Sequence, residues 1–306
     1  MARQASKTQA LAFTVFSIAT LGVAWAGSVS DIFSETGRPG AAAGPAPESL
    51  QGRHRPGAVF HDELAAGIAG PEMVVIQPGE FRMGDNYRGA TPHAQAPVHQ
   101  VRISAEFAVG KYEVTFADYD RFVAATGSRR PRDLGFGRGR RPVIDISWKD
   151  ARAYVAWLSE QTGARYRLLS EAEWEYVART QQGLKHRFSW GNYMQSGRAN
   201  CKKCGVGTVT PFTWPVGSFK ANAFGLYDVN GNVWEWVEDC WHVNYVGAPR
   251  DGAAWIHGGP GCEQRVRRGG SWKSTASDVR PPVRQFSYTT RRRDDVGFRV
   301  ARDLRG

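Results

Sequence analysis

Gly225-Leu-Tyr-Asp-Val-Asn-Gly-Asn-Val-Trp-Glu-Trp-Val-Glu-Asp-Cys240 is the stretch on which the fold turns. Asp228, Asn230 and Asn232 fall at alternate positions, Gly231 permits a tight backbone, and Glu235 follows shortly after. Hard oxygen donors so spaced suit calcium, which accepts carboxylate, amide and carbonyl oxygens in flexible geometry. The same residues also make an Asx-rich turn, whose side chains bond their own backbone. The stretch is not an EF-hand loop: Val233 stands where the turn glycine is needed, and no Glu occupies the twelfth place.

Outward from this turn, helices are punctuated upstream. Thr115 with Asp118 opens a helix over Phe116 to Ala125, stopped by Gly127. Ser147 with Asp150 opens a second, whose Ala151, Tyr154, Val155 and Leu158 share one face before Gly163. Ser170 with Glu173 forms a capping box before Glu171 to Arg179. Met73 to Gly84 reads as a strand, a turn at Pro78-Gly79 and a second strand, and Val98 to Ile103 alternates with period two. Beyond Gln181, Gly, Asn and Trp alternate with short apolar fragments, predicting loops and short strands. The fold class expected is α+β, with little regular structure.

The 306-residue chain is 42% hydrophobic and 23% charged, which excludes disordered, collagenous and multi-span membrane classes. Its first 27 residues read as a signal peptide or N-terminal anchor: Arg3 and Lys7 precede an apolar run from Ala10 to Ala26, ending in the small-x-small Ala24-Trp25-Ala26. A periplasmic or secreted location follows, with a membrane tether through an uncleaved leader as the alternative. Residues 28–69, rich in Gly, Pro and Ala, read as a tether, and residues 70–306 as the folded domain. The net charge of +11 favours anionic partners in general. The basic run from Ser128 to Arg141 is read as a solvated loop, against an anion or nucleic-acid contact, and no specific nucleic acid is expected.

Cys201, Cys204, Cys240 and Cys262 allow three pairings in an oxidising compartment. Cys201 with Cys204 and Cys240 with Cys262 is the favoured set, and a four-thiolate zinc site the competing reading. The seven His residues form no His-x-His or His-x-x-x-His pair, and no Gly-x-Ser-x-Gly elbow is present.

The ordered motifs Gly79-Glu-Phe-Arg-Met-Gly84, Lys111-Tyr-Glu-Val-Thr115, Pro142-Val-Ile-Asp-Ile-Ser-Trp148, Leu168-Leu-Ser-Glu-Ala-Glu-Trp-Glu-Tyr176, Gly225-Leu-Tyr-Asp228, Gly231-Asn-Val-Trp-Glu-Trp236, Arg268-Gly-Gly-Ser-Trp272 and Val296-Gly-Phe-Arg299 resemble the formylglycine-generating enzyme, or sulfatase-modifying factor, domain family. The resemblance implies an irregular, C-type-lectin-related fold. It also implies a calcium site of the Asp228 and Glu235 side chains with the carbonyls of Gly231 and Val233. A second family calcium site lacks its Asp here, where Cys201-Lys-Lys-Cys204 stands instead.

In the same family, two cysteines just after the Gly-Gly-Ser motif hold the copper that converts a substrate cysteine to formylglycine. Soft thiolates select cuprous ion. This chain reads Gly269-Gly-Ser-Trp-Lys-Ser274 there, and no cysteine follows Cys262, so the resemblance does not carry the activity and copper is not expected. What it implies instead is a ligand face of Trp272, Lys273, Ser274, Arg280, Arg284, Phe286 and Tyr288, with Arg291 to Arg293 beside it. Aromatic and guanidinium groups of this kind suit a protein, peptide or anionic small molecule. The expected role is a non-enzymatic binding or maturation factor; the alternative is an oxidoreductase of the same family with a different cofactor.

Overall fold

A computed structural model describes residues 55–65, 67–85, 94–180, 186–205, 212–257 and 262–304. The expected leader and most of the expected tether lie outside the described residues. Where the chain enters the description it is already structured: β1 (Val59–Phe60), β2 (Glu63–Leu64) and β3 (Ile68–Ala69) precede β4 (Met73–Ile76). β1 pairs antiparallel with β4, so the backbone of these residues is taken up by the sheet although their composition reads as tether.

The turn at Pro78-Gly79 leads into β5 (Gly79–Met83), which forms a hairpin-like pair with β6 (His99–Ile103). β7 (Phe107–Gly110) follows, then α1 (Phe116–Thr126) and α2 (Trp148–Thr162). β8 (Tyr166–Leu168) and α3 (Glu171–Arg179) complete the upstream half. Each helix begins where expected and with a capping box, from Thr115, Ser147 and Ser170, the last of them the box read from the sequence, and α1 and α2 end on left-handed Gly127 and Gly163. Local hydrogen bonding from a short side chain to the third amide of the helix is sufficient to fix these starts.

The downstream half holds β9 (Trp234–Cys240), β10 (Gln264–Arg268), β11 (Arg284–Tyr288), β12 (Val296–Phe298) and β13 (Val300–Asp303), with long irregular segments between. A five-stranded sheet runs β1-β4-β7-β13-β8 and a four-stranded one β11-β10-β9-β12. In the second sheet β12 lies parallel to β9 while the other pairs are antiparallel. The architecture is therefore α+β, as read from the sequence.

Two apolar clusters hold the elements. One joins α1 and α2 to β12 through Tyr119, Phe122, Tyr154, Trp157 and Phe298, with Tyr154 5.3 Å from Phe298 and stacked 5.6 Å from Tyr119. The other packs Val74, Phe81, Val101 and Phe107 against Trp174 and Val177 of α3. Both expected disulfides are formed, Cys201 to Cys204 and Cys240 to Cys262. All four thiols are thereby consumed, which removes the four-thiolate zinc reading.

Candidate functional site

The decisive turn takes its shape from three left-handed residues: Asp228 (φ 59°), Gly231 (φ 92°) and Asn232 (φ 60°). Asp and Asn tolerate this region better than most side chains. At Gly231 a Cβ would also run into the Asn200 carbonyl, which accepts the Asn232 amide at 2.8 Å. The turn thus aims Asp228 and Glu235 inward, where Glu113 of the Lys111 to Thr115 motif meets them. All three carboxylates are buried.

Among the described residues Arg299 is the one guanidinium bonded to this cluster. Its Nη2 donates to Glu235 at 2.8 Å, and it also donates to the carbonyls of Gly110 and Tyr227. The second Glu235 oxygen accepts from Trp174 Nε1 at 2.7 Å and from Arg299 Nε at 3.0 Å. Glu113 accepts from the Asn232 side chain and the Val233 amide, and Asp228 from the Gly217 amide at 2.7 Å. Burial, then the charges of Asp228 and Glu235, pushes Glu113 well above the usual carboxylate range. Burial foremost, with Glu235 adding to it, raises Asp228 to about 6.

The expected calcium set lies in this cluster. Its donors are hard oxygens, and three carboxylates around one guanidinium leave a surplus of negative charge that a dication neutralises, so in charge and donor type the residues fit. Both Glu235 oxygens already accept bonds, which leaves Asp228 and the carbonyls of Gly231 and Val233 as the donors with capacity. Among the described residues no three or more His, Cys, Asp or Glu side chains, those of this cluster included, come together in a geometry that could hold a metal, so the fit is one of charge and donor type and not of side-chain geometry. Of the seven histidines, His54 and His93 lie outside the described residues.

The residues expected on the ligand face do not share one role. Arg284 is buried and bonds Glu171 through Nε and Nη2, both at 2.7 Å, with its Nη1 on the carbonyls of Ala94 and His242. Arg280 is buried too and pairs with Asp85 at 2.7 Å. Both guanidinium groups are internal because their carboxylate partners lie upstream, at separations that sequence spacing does not reveal. Ser274 is buried, and its Oγ accepts the Ser271 amide at 3.0 Å. It closes the turn rather than facing a ligand.

Four residues of the set remain accessible. Trp272 is half-buried, edge-on to Phe136 at 5.6 Å, and Lys273 pairs with Asp294 at 2.6 Å while lying 4.7 Å from the Trp272 ring. Phe286 (39% exposed) and Tyr288 (54%) project from β11, an edge strand, and Phe286 contacts Trp241 at 5.1 Å. Trp241 was not singled out from the sequence; its place one residue beyond the end of β9 carries no recognisable signal. Of the other basic residues named, Arg292 pairs with Asp150 and Arg293 with Asp295.

Beneath Trp241 lies a second buried network. Glu171 takes Arg284 and Arg268, and Glu175 takes Arg268 and Arg179. Burial alone would raise Glu175, but Arg179 and Arg268 outweigh it and hold the carboxyl below its ordinary value. Burial, and then the neighbouring Glu171, lifts Asp239 to about 7. The basic run after Ser128 proves to be pinned in the same way: Arg129 and Arg132 pair with Asp145, and Arg138 with Asp120.

Comparison with known proteins places this architecture. The sulfatase-modifying factor enzyme 1-like domain matches residues 62–304, and the chain belongs to that family. The bovine (Bos taurus) formylglycine-generating enzyme is 29% identical over 291 residues, covering 76% of this chain and 75% of that protein. Bovine inactive C-alpha-formylglycine-generating enzyme 2 is 34% identical over 193 residues, 56% of this chain and 55% of that one. The solved structure of PvdO from Pseudomonas aeruginosa superposes with a TM-score of 0.72 at 38% identity, covering 82% of this chain and 99% of that one.

Proposed function

We propose that this family member is an exported binding or maturation factor that does not make formylglycine. The observation that carries the reading is the state of its sulfur: all four cysteines are in disulfides, none follows Cys262, and the segment after Gly269-Gly-Ser271 offers the hydroxyls of Ser274, Thr275 and Ser277 but no thiol. A hydroxyl is too hard and too weakly acidic to hold cuprous ion. The similarity to a relative whose name declares it inactive supports the same direction.

In this reading the ligand contacts Trp272, Lys273, Phe286 and Tyr288, and is a peptide or small molecule with aromatic or acidic groups. The leader delivers the chain to the periplasm or exterior and, uncleaved, tethers it to the membrane. Calcium is the structural ion of this reading, held by Asp228 and the carbonyls of Gly231 and Val233, with Glu235 anchoring the turn through Arg299.

Incubation with a peptide carrying Cys-x-Pro-x-Arg, followed by mass spectrometry, tests the reading. The expected outcome is an unchanged thiol, with no copper or iron in the purified protein. Aldehyde formation, or stoichiometric copper or iron with oxygen uptake, would overturn it in favour of an oxidoreductase.

A further inference from the structure

We propose that the Cys201–Cys204 bridge is a redox-active disulfide that exchanges with thiols of a bound polypeptide. This activity goes beyond the binding role above and does not depend on it.

The two bridges differ in what they can do for the fold. Cys240–Cys262 spans 22 positions, joining the end of β9 to the start of β10, whereas Cys201–Cys204 spans 3. The entropy a cross-link removes from the unfolded chain grows with the loop it closes, so the short bridge is the weaker staple. Its sequence, Cys201-Lys-Lys-Cys204, is a Cys-x-x-Cys pair, an arrangement that lowers thiol pKa, and neighbouring cations favour the thiolate further. Lys202 and Lys203 are exposed, and no ion pair among the described residues engages them or Arg198.

The position is as telling as the composition. Cys201 and Cys204 pack with Phe188, Ala199 and Val279, and the Lys202 amide donates to the Ser274 carbonyl at 2.8 Å. The bridge therefore lies against the Ser274 to Val279 segment that follows Gly269-Gly-Ser271. Beside it Trp190 stacks on Phe188 at 5.1 Å and donates to the carbonyl of Tyr193, a residue 82% exposed. Trp190, half-buried where it packs on the bridge's apolar cluster, and the exposed Tyr193 offer an aromatic surface on which an extended polypeptide can rest.

Cys201 is the more accessible of the two, 8% against 2%. A client thiolate attacks its Sγ, the sulfur–sulfur electron pair leaves on Cys204, and a second client thiolate then displaces Cys201. The client gains a disulfide and the protein two thiols; a disulfide donor such as oxidised glutathione restores the bridge by the reverse exchange.

The full chain, equilibrated in glutathione buffers of increasing reducing strength, alkylated and read by mass spectrometry, tests this. Cys201–Cys204 is expected to open at about tenfold lower reduced glutathione than Cys240–Cys262, while the protein stays folded. Cys204→Ser is expected to collect glutathione on Cys201. The double variant Cys201→Ala/Cys204→Ala is expected to keep its Tm within about 3 °C. Opening of both bridges only on unfolding, absence of the Cys201 adduct, or a double variant that does not fold would each overturn the proposal.

Discussion

Arg299 shows how much one side chain organises here. Five hydrogen-bond acceptors surround its guanidinium: the two oxygens of Glu235 and the carbonyls of Gly110, Lys111 and Tyr227. Burial alone would lower its pKa, but Glu235, Glu113 and Asp228 outweigh that and keep it charged. Removing one partner of such a pair strands the other in a dry interior. Arg299→Met is therefore expected to cost about 3–5 kcal/mol in urea unfolding, if the variant folds to a native baseline at all. Asp239 gives the opposite case, a carboxyl whose folded pKa of about 7 lies above its ordinary 3.8. Its contribution to stability is full below the unfolded value and is lost as pH rises through 7. Thermal scans are expected to show Tm declining from pH 5 to pH 8. In Asp239→Asn that decline flattens on a lower baseline, because the Glu171 and Trp255 amides now share a single acceptor oxygen.

At the scale of elements, what the sequence discloses depends on range. The three helix starts are read correctly because their capping partners lie three residues apart, and Ser147→Ala is expected to cost about 1 kcal/mol for the same local reason, measured by denaturant midpoint. The favoured disulfide pairing is the one formed, and its geometric reason emerges only in the fold, where Cys240 ends β9 and Cys262 precedes β10, its immediate neighbour in the sheet. Replacing that pair by alanine is expected to lower stability by about 3 kcal/mol, read under conditions that leave Cys201–Cys204 oxidised. By contrast Arg284 and Glu171 stand 113 positions apart. Composition marks such an arginine as a ligand group; only the packing of α3 against β10 and β11 shows it to be a partner of Glu171. Phe286 and Tyr288, named together on the expected ligand face, are exposed side by side on β11.

For the whole molecule the question is what replaces extensive sheet and helix. Long irregular segments bury polar backbone and charge, which must be paired to be tolerated. The network around Glu171 and Glu175 is fully paired, with three guanidinium groups, Arg179, Arg268 and Arg284, for the two carboxylates. The cluster around Glu235 is not: Glu113 and Asp228 share Arg299 with it, and this imbalance falls on the turn that ties the upstream motif at residue 113 to β9 and β12. An ion that binds only the folded state stabilises it by about 2.7 kcal/mol when present at a hundredfold its Kd. Calcium added to chelator-treated protein at pH 7 is accordingly expected to raise Tm by several degrees. Magnesium is expected to do less, since it dehydrates reluctantly and demands near-octahedral geometry, whereas calcium accepts fixed backbone carbonyls in flexible geometry. Asp228→Ala, which removes the side-chain donor with spare capacity, is expected to abolish the response. A wild-type Tm indifferent to calcium would instead mean that the surplus is reduced by protonating Glu113, which leaves Asp228 and Glu235 to share Arg299.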